Sequence, residues 1–213
     1  MTTSTSPFAA FSAVVRERHA VKHYDSTAKM SHEEIEELLE LAIQTPSSWN
    51  LQHWKFLVIE EQQAKEKLLP IANQQKQVVE ASVTVAVLGD LQADQNAEAV
   101  YQEAADRGEL PQQIKDALLD QIYRLYETNP QAARDEAIKN AAFAAMTLML
   151  AAKAKGYDSC PMGGFDAGKL KEVFGIPDRY LPILLISIGK AAKPARPSSR
   201  FAVEQVTRWN QFS

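Results

Sequence analysis

Three separated stretches hold the side chains that could do chemistry. Arg16-Glu17-Arg18-His19-Ala20-Val21-Lys22-His23 carries three cations and two histidines in eight residues. If this segment is extended, alternation sets Arg18, Ala20 and Lys22 on one side. Two cations converging that way suit a phosphate, which arginine grips in bidentate fashion. The segment alone also reads as a solvated basic loop. Pro46-Ser47-Ser48-Trp49-Asn50-Leu51-Gln52-His53-Trp54 offers uncharged donors and acceptors beside two tryptophans, although an ordinary helix-to-strand connection would look similar. In the third stretch, Pro161-Met162-Gly163-Gly164, adjacent glycines follow a buried element and let a backbone approach something flat or bulky. Between them, Gln74 and Gln77 stand at i and i+3 of a short helix expected over residues 73–80, so two neutral amides could reach one partner.

These stretches sit between well-marked elements. Phe8, Phe11, Val14 and Val15 recur at helical spacing and predict a helix over residues 8–17. Ser31 with Glu34 forms a capping box for a helix over 32–44, which stops before Pro46. Lys55 to Ile59 reads as a strand, and residues 61–69 as a polar helix. Ala81 to Leu88 is a short, β-branched strand buried on both faces. Residues 91–128 are charged and helically patterned at Ile114, Leu118, Ile122 and Leu125, a helical excursion over a cleft or subunit edge. Its tyrosines (Tyr101, Tyr123 and Tyr126) could line a substrate mouth, but such spacing more often means packing.

A long helix follows from Pro130, which suits a first turn. Every residue from Ala141 to Ala152 except Thr147 is apolar, so this helix has no wet face and is buried in a domain or between subunits. Gly156 ends it. Tyr157 to Cys160 is extended and leads into the Pro161–Gly164 turn. Asp166 caps a helix to Phe174, and Leu181 to Ile188 is a second buried strand. The tail from about 190 to 213 is rich in proline and cations, with Arg196 and Arg200 flanking Pro197-Ser198-Ser199, and it floats or lies across a partner subunit.

Composition narrows the possibilities. At 213 residues and 46% hydrophobic the chain is long enough for a sizeable core in one domain. A net charge of -4 gives no general case for nucleic acid or an anionic membrane. The one cysteine, Cys160, excludes an internal disulfide framework, fits a reducing cytoplasm and adjoins a buried strand, as a small core residue would. The N-terminal stretch lacks the pattern of a signal peptide. The longest apolar run is short of the ~20 residues that span a bilayer. His19 and His23 are the only histidines four apart, in a segment read as extended, so no metal site is expected.

In order and spacing these stretches resemble the FMN-dependent nitroreductases. The resemblance rests on Arg18-His19-Ala20-Val21-Lys22, on Pro46 to Gln52 with Trp54, on Gln74 and Gln77 before Ala81-Ser82, on Lys139-Asn140-Ala141 through to Pro161-Met162-Gly163-Gly164-Phe165-Asp166, and on the tail arginines. It implies an α+β fold with a mixed central sheet wrapped by helices, in an intertwined homodimer with two FMN sites at the interface. On that resemblance Arg18, His19 and Ala20 hold the flavin phosphate with Arg200, and Arg196 lies in the same tail. Lys22 lies near the phosphate or the pyrimidine edge. Gln74 and Gln77 face the ring, Pro161, Met162, Gly163 and Gly164 pass beside it, and Pro46, Ser47, Ser48 and Asn50 come from the other subunit.

The resemblance further implies tightly bound FMN, reduced at N5 by NAD(P)H and reoxidised in the same place by a nitroaromatic, a quinone or a similar flat electrophile, with ping-pong kinetics. No side chain need act as acid or base, and Lys22 is the candidate for an electrostatic role. A flavin-dependent reductase of activated C=C bonds and a non-catalytic flavin-binding dimer are the alternatives. The chain departs from some family members, which have a serine at Ala20, a lysine near Gln77 and an acidic residue at Gly163, and from many, which have a proline at His53. These departures bear on substrate preference and the tuning of the flavin potential.

Overall fold

The alternation in Val83–Asp90 (β2) organises the fold. In the computed structural model, which describes residues 6–212, this strand is buried along its whole length. Val83, Val85 and Val87 face one layer, and Ala86 and Leu88 the other, as a period of two demands. β1 (Trp54–Ile59), β3 (Asp158–Met162) and β4 (Tyr180–Gly189) complete a sheet of order β1-β2-β4-β3. All three ladders are antiparallel, and among the described residues the parallel component of the expected mixed sheet is a single bridge between Ala20 and Ser159 on the outer side of β3. The 18–21 segment supplies only that isolated pairing, not a strand.

One face of the sheet is covered by α2 (His32–Ala42) and α7 (Pro130–Ala154), the other by α3 (Gln62–Ile71) and α8 (Ala167–Phe174), with α4 (Gln77–Glu80) joining the second layer. The α2 capping box forms as read: Ser31 Oγ accepts from the Glu34 N–H at 3.2 Å, and the Glu34 carboxylate accepts from the Ser31 N–H at 2.9 Å. The side chain of Asn129 caps α7 at the Ala132 N–H, and Gly156 ends it at φ 83°. α7 presses onto β2 where the strand has no side chain: a Cβ on Gly89 would lie 2.9 Å from the Ala137 carbonyl oxygen.

The apolar run of α7 is dry on the sheet side only. Ala141, Ala144, Ala145 and Leu148 are buried, whereas Phe143 is 49% and Met146 39% exposed. α1 (Pro7–Glu17) buries none of its residues and leaves Phe8 and Phe11 exposed. The tail, with α9 (Val203–Val206), also leaves Phe201, Trp209 and Phe212 in solvent. Among the described residues, α1, the outer face of α7 and the tail thus each leave apolar side chains uncovered. Among the described residues no helix is long and apolar enough to cross a membrane.

The excursion is helical, as expected, in two pieces: α5 (Ala97–Asp106) and α6 (Gln112–Thr128). A bidentate pair anchors its root, with Arg179 Nε and Nη2 each 2.6 Å from a carboxylate oxygen of buried Asp90.

Candidate functional site

The basic segment lies along the free edge of β3. Arg18 closes α1 in extended conformation, Ala20 bridges Ser159, and the Val21 N–H donates to the Ser159 carbonyl at 3.1 Å. Ala20 and Lys22 are exposed; Arg18 and His19 are half-buried. Two buried polar atoms here have no protein partner among the described residues, His19 Nδ1 and Ser159 Oγ. A cavity of about 370 Å³ is lined by Ala20, Lys22, His23, Lys193 and Arg196. The tail thus brings Arg196 to the segment within this chain, whereas Arg200 bonds Ser198 Oγ and the Ser199 carbonyl. Cys160 is a core residue, as read; burial raises its thiol pKa, and the charges of Lys22 and Arg18 offset this only in part.

The expected Pro161–Gly164 turn is shorter than the sequence implied. Pro161 and Met162 continue β3, opposite Ile186 and Leu185, and the Met162 side chain enters the core. An edge strand tolerates a proline, whose missing N–H costs no interior ladder bond. The turn proper is Gly163-Gly164, both exposed, and neither backbone N–H donates to a protein acceptor among the described residues.

The expectation that Gln74 and Gln77 share a helical face fails. Asn73 and Gln74 have left-handed backbones (φ 52° and 58°), so α4 begins only at Gln77. Gln74 is exposed, while Gln77 is buried and donates from Nε2 to Gln75 Oε1 at 3.2 Å. The side chains that reach the glycine turn are instead Asn73 and Gln75, which donate to the Gly164 carbonyl at 3.0 and 2.9 Å. The sequence NQQKQ holds four amides within five residues. Which of them point to the turn depends on where the helix starts.

The 46–54 loop contains one 3-10 turn, Ser48–Asn50, and three non-glycine residues at positive φ: Trp49, Asn50 and Gln52. Such strain persists only where surroundings impose it. The Ser48 hydroxyl donates to Glu136 of α7, and its N–H donates to Asn140 Oδ1 at 3.0 Å. Burial acts upward on the Glu136 carboxyl, but bonds from Lys139, Ser48 and Asn140 outweigh it and hold it below the usual range. From the excursion, Tyr101 donates to the Trp49 carbonyl at 3.1 Å and Asn96 to the Leu51 carbonyl at 2.8 Å. Ser47 Oγ accepts from the Gln52 N–H. Pro46 and Asn50 are exposed. A cavity of about 660 Å³ opens between Trp49 and the Ala117, Gln121, Arg124 and Leu125 face of α6. Glu136, Asn140, Tyr101 and Tyr126 support this loop; none was assigned to it from sequence, because the ties span 52 to 92 positions.

These groups do not meet within one chain. Trp54 begins β1 opposite Gly89, while Ala20 lies outside β3 level with Ile188. That places the 46–54 loop roughly 20 Å away across the sheet and about as far along it, from strand spacing and rise.

Comparison with known proteins yields one consistent result. The sequence profile described as the Nitroreductase family matches residues 15–190. The chain is 51% identical over 196 residues to "Putative NAD(P)H nitroreductase YodC" of Bacillus subtilis, covering 92% of this chain and 96% of that protein. It is 30% identical over 198 residues to the CLA biosynthesis enone reductase of Lactiplantibacillus plantarum, covering 91% of each. Among solved structures, a "putative nitroreductase in complex with FMN" from Exiguobacterium sibiricum superposes with a TM-score of 0.88 at 37% identity, over 98% of this chain and 99% of that one.

Proposed function

This chain belongs to the nitroreductase family, and on that premise we propose that it is an NAD(P)H-dependent FMN oxidoreductase whose two sites each form between two copies of the chain. The observation that carries the reading is the β3 edge. Cations converge beside Ala20, at Lys22 and Arg196, and from four residues beyond Ser159, the bridge partner of Ala20, the two consecutive N–H groups of Gly163 and Gly164 donate to no protein acceptor among the described residues. Four residues of strand span about 13 Å. That is comparable to the distance from a phosphate, along a five-carbon chain, to the middle of a flavin ring. The partnerless, buried Nδ1 of His19 at the phosphate end fits the same ligand.

Bound FMN would supply hydride acceptance from NAD(P)H and delivery to an oxidant. The protein's own part is binding and orientation. Arg18 and Lys22, with the tail arginines, neutralise the phosphate. The glycine N–H groups face the ring edge, where charge develops on reduction. Gln74, exposed beside the turn, is free to face the pyrimidine side. Ser47, Ser48, Pro46 and Asn50 would complete the site from the partner, because in one chain they stand at the far corner of the sheet. The exposed Phe143 and Met146, α1 and the apolar tail supply surface for that partner. The cavity beside Trp49 would admit a flat electrophile such as a nitroaromatic or a quinone. The similarity to an enone reductase supports activated C=C bonds as a second acceptor class. The single buried cysteine suits a cytoplasmic setting.

The test is a visible spectrum of the purified protein, with FMN added if needed, before and after anaerobic NADH and NADPH. A yellow protein that bleaches supports the enzyme. A yellow protein that never bleaches leaves a flavin-binding dimer. A protein that takes up no FMN overturns the reading.

A further inference from the structure

We propose that Asn73 and Gln75 are positioning residues for this site: their amides hold the Gly164 carbonyl and so direct the free N–H groups of Gly163 and Gly164 at the ring. The inference rests on the flavin reading above. Two adjacent glycines have wide backbone freedom; a Cβ at Gly163 would meet nothing within 4 Å, and one at Gly164 would meet only the Asn73 and Gln75 amides, at 3.8 Å. Hydrogen bonds restrain the turn. Asn73 Nδ2 and Gln75 Nε2 donate to the Gly164 oxygen at 3.0 and 2.9 Å, occupying both of its lone pairs. The N–H of the same peptide, on Phe165, donates to the Gly163 carbonyl at 3.2 Å, and the Asp166 N–H donates to the Ile71 carbonyl at 2.9 Å.

The clamp is itself oriented. Gln77, 5% exposed, donates to Gln75 Oε1, which leaves Gln75 Nε2 facing Gly164. Asn73 reaches the turn because it sits at φ 52°, a left-handed conformation that asparagine tolerates better than most residues. Gln74 between them is exposed and makes no side-chain hydrogen bond among the described residues. Alternate amides of one short segment therefore divide the work, two on the turn and one left for the ligand.

The test is an Asn73→Gly, Gln75→Ala double variant, in which glycine keeps the left-handed backbone and loses only the donor. Three readouts apply: FMN occupancy, the midpoint potential of the bound flavin, and exchange of the Asp166 amide in the apoprotein. The expected result is retained FMN, a shifted potential, hydride transfer from the nicotinamide slowed about tenfold, and faster Asp166 exchange. Wild-type potential and rate with wild-type exchange overturn the proposal. If the double variant does not fold, Gln75→Glu, of the same shape but unable to donate as a carboxylate, is read in the same way. If the wild-type protein takes up no FMN, the flavin reading fails; the apoprotein exchange still decides the clamp, and unchanged protection overturns it.

Discussion

His53 Nε2 lies 2.9 Å from the Tyr126 hydroxyl, and this contact ties the 46–54 loop to α6 of the excursion. The ring is fully buried, and its Nδ1 has no partner among the described residues. Burial lowers the imidazole pKa from 6.5 to about 4, against the opposing pull of Glu136 and Asp90. An unfolded His53 therefore binds its proton at higher pH than the folded one. Its contribution to stability is full above pH 6.5 and lost as pH falls towards 4. A shift of that size corresponds to about 3 kcal/mol. Urea midpoints at pH 7 and pH 5 should differ more in the wild type than in His53→Gln. Equal slopes in the two proteins would remove His53 from the pH response.

Removing the guanidinium from the excursion's root should be costly. Asp90 is 1% exposed and receives both bonds from Arg179. Arg179→Ala leaves an unpaired buried carboxylate, with an expected loss of about 3–5 kcal/mol in urea unfolding. Asp90→Asn added to that variant should recover part of it. A loss below about 1 kcal/mol, the worth of an exposed pair, would show that water reaches Asp90 freely.

Gly89→Ala places a Cβ 2.9 Å from the Ala137 carbonyl oxygen, backbone against backbone. α7 must then move off β2, at a cost of about 1–3 kcal/mol. A thermal melt unchanged from wild type would mean that the helix has slack at that crossing.

Phe143→Glu puts a charge on the exposed apolar face of α7. Sedimentation should show the wild type as a dimer and the variant as a monomer, with FMN lost in step, because in the proposed arrangement each site draws on both copies. A monomer that retains FMN at wild-type affinity would refute the shared site.

Glu136→Ala removes the acceptor of the Ser48 hydroxyl and the partner of Lys139. The loop keeps its Asn140 bond but loses the orientation of Ser48. FMN affinity, read by quenching of flavin fluorescence, should fall about tenfold, the worth of one charged hydrogen bond, with little change in the melt. Unchanged affinity would exclude Ser48 from the site.

Elements with local signals were legible in the sequence. The capping box at Ser31, the proline and glycine bounding α7, the Asp166 cap and the β-branched β2 are each set by residues within a turn or two of one another. The extended conformation at Arg18 and Ala20 was legible too, because alternation along a short segment needs no tertiary information. Gln74 and Gln77 were misplaced because two left-handed residues delay the start of α4, and Asn73 and Gln74 are not residues that announce such a backbone as glycine does. Met162 was read into a turn because Pro161 looked like the end of a strand, and at a sheet edge it is not.

By itself the sequence determined most of the helices and strands, which side chains are charged in the basic segment, and that α7 is apolar on all sides from Ala141 to Ala152 except at Thr147. Only the tertiary structure decided that the 46–54 loop and the basic segment lie at opposite corners of the sheet, that Glu136 and Tyr101 hold the loop in its strained conformation, and that Asn73 and Gln75 clamp Gly164. The reason is physical. Periodicity and capping act over a few residues, whereas these ties join groups some 50 to 90 positions apart, and chain spacing carries no record of which distant carbonyl a given amide will find.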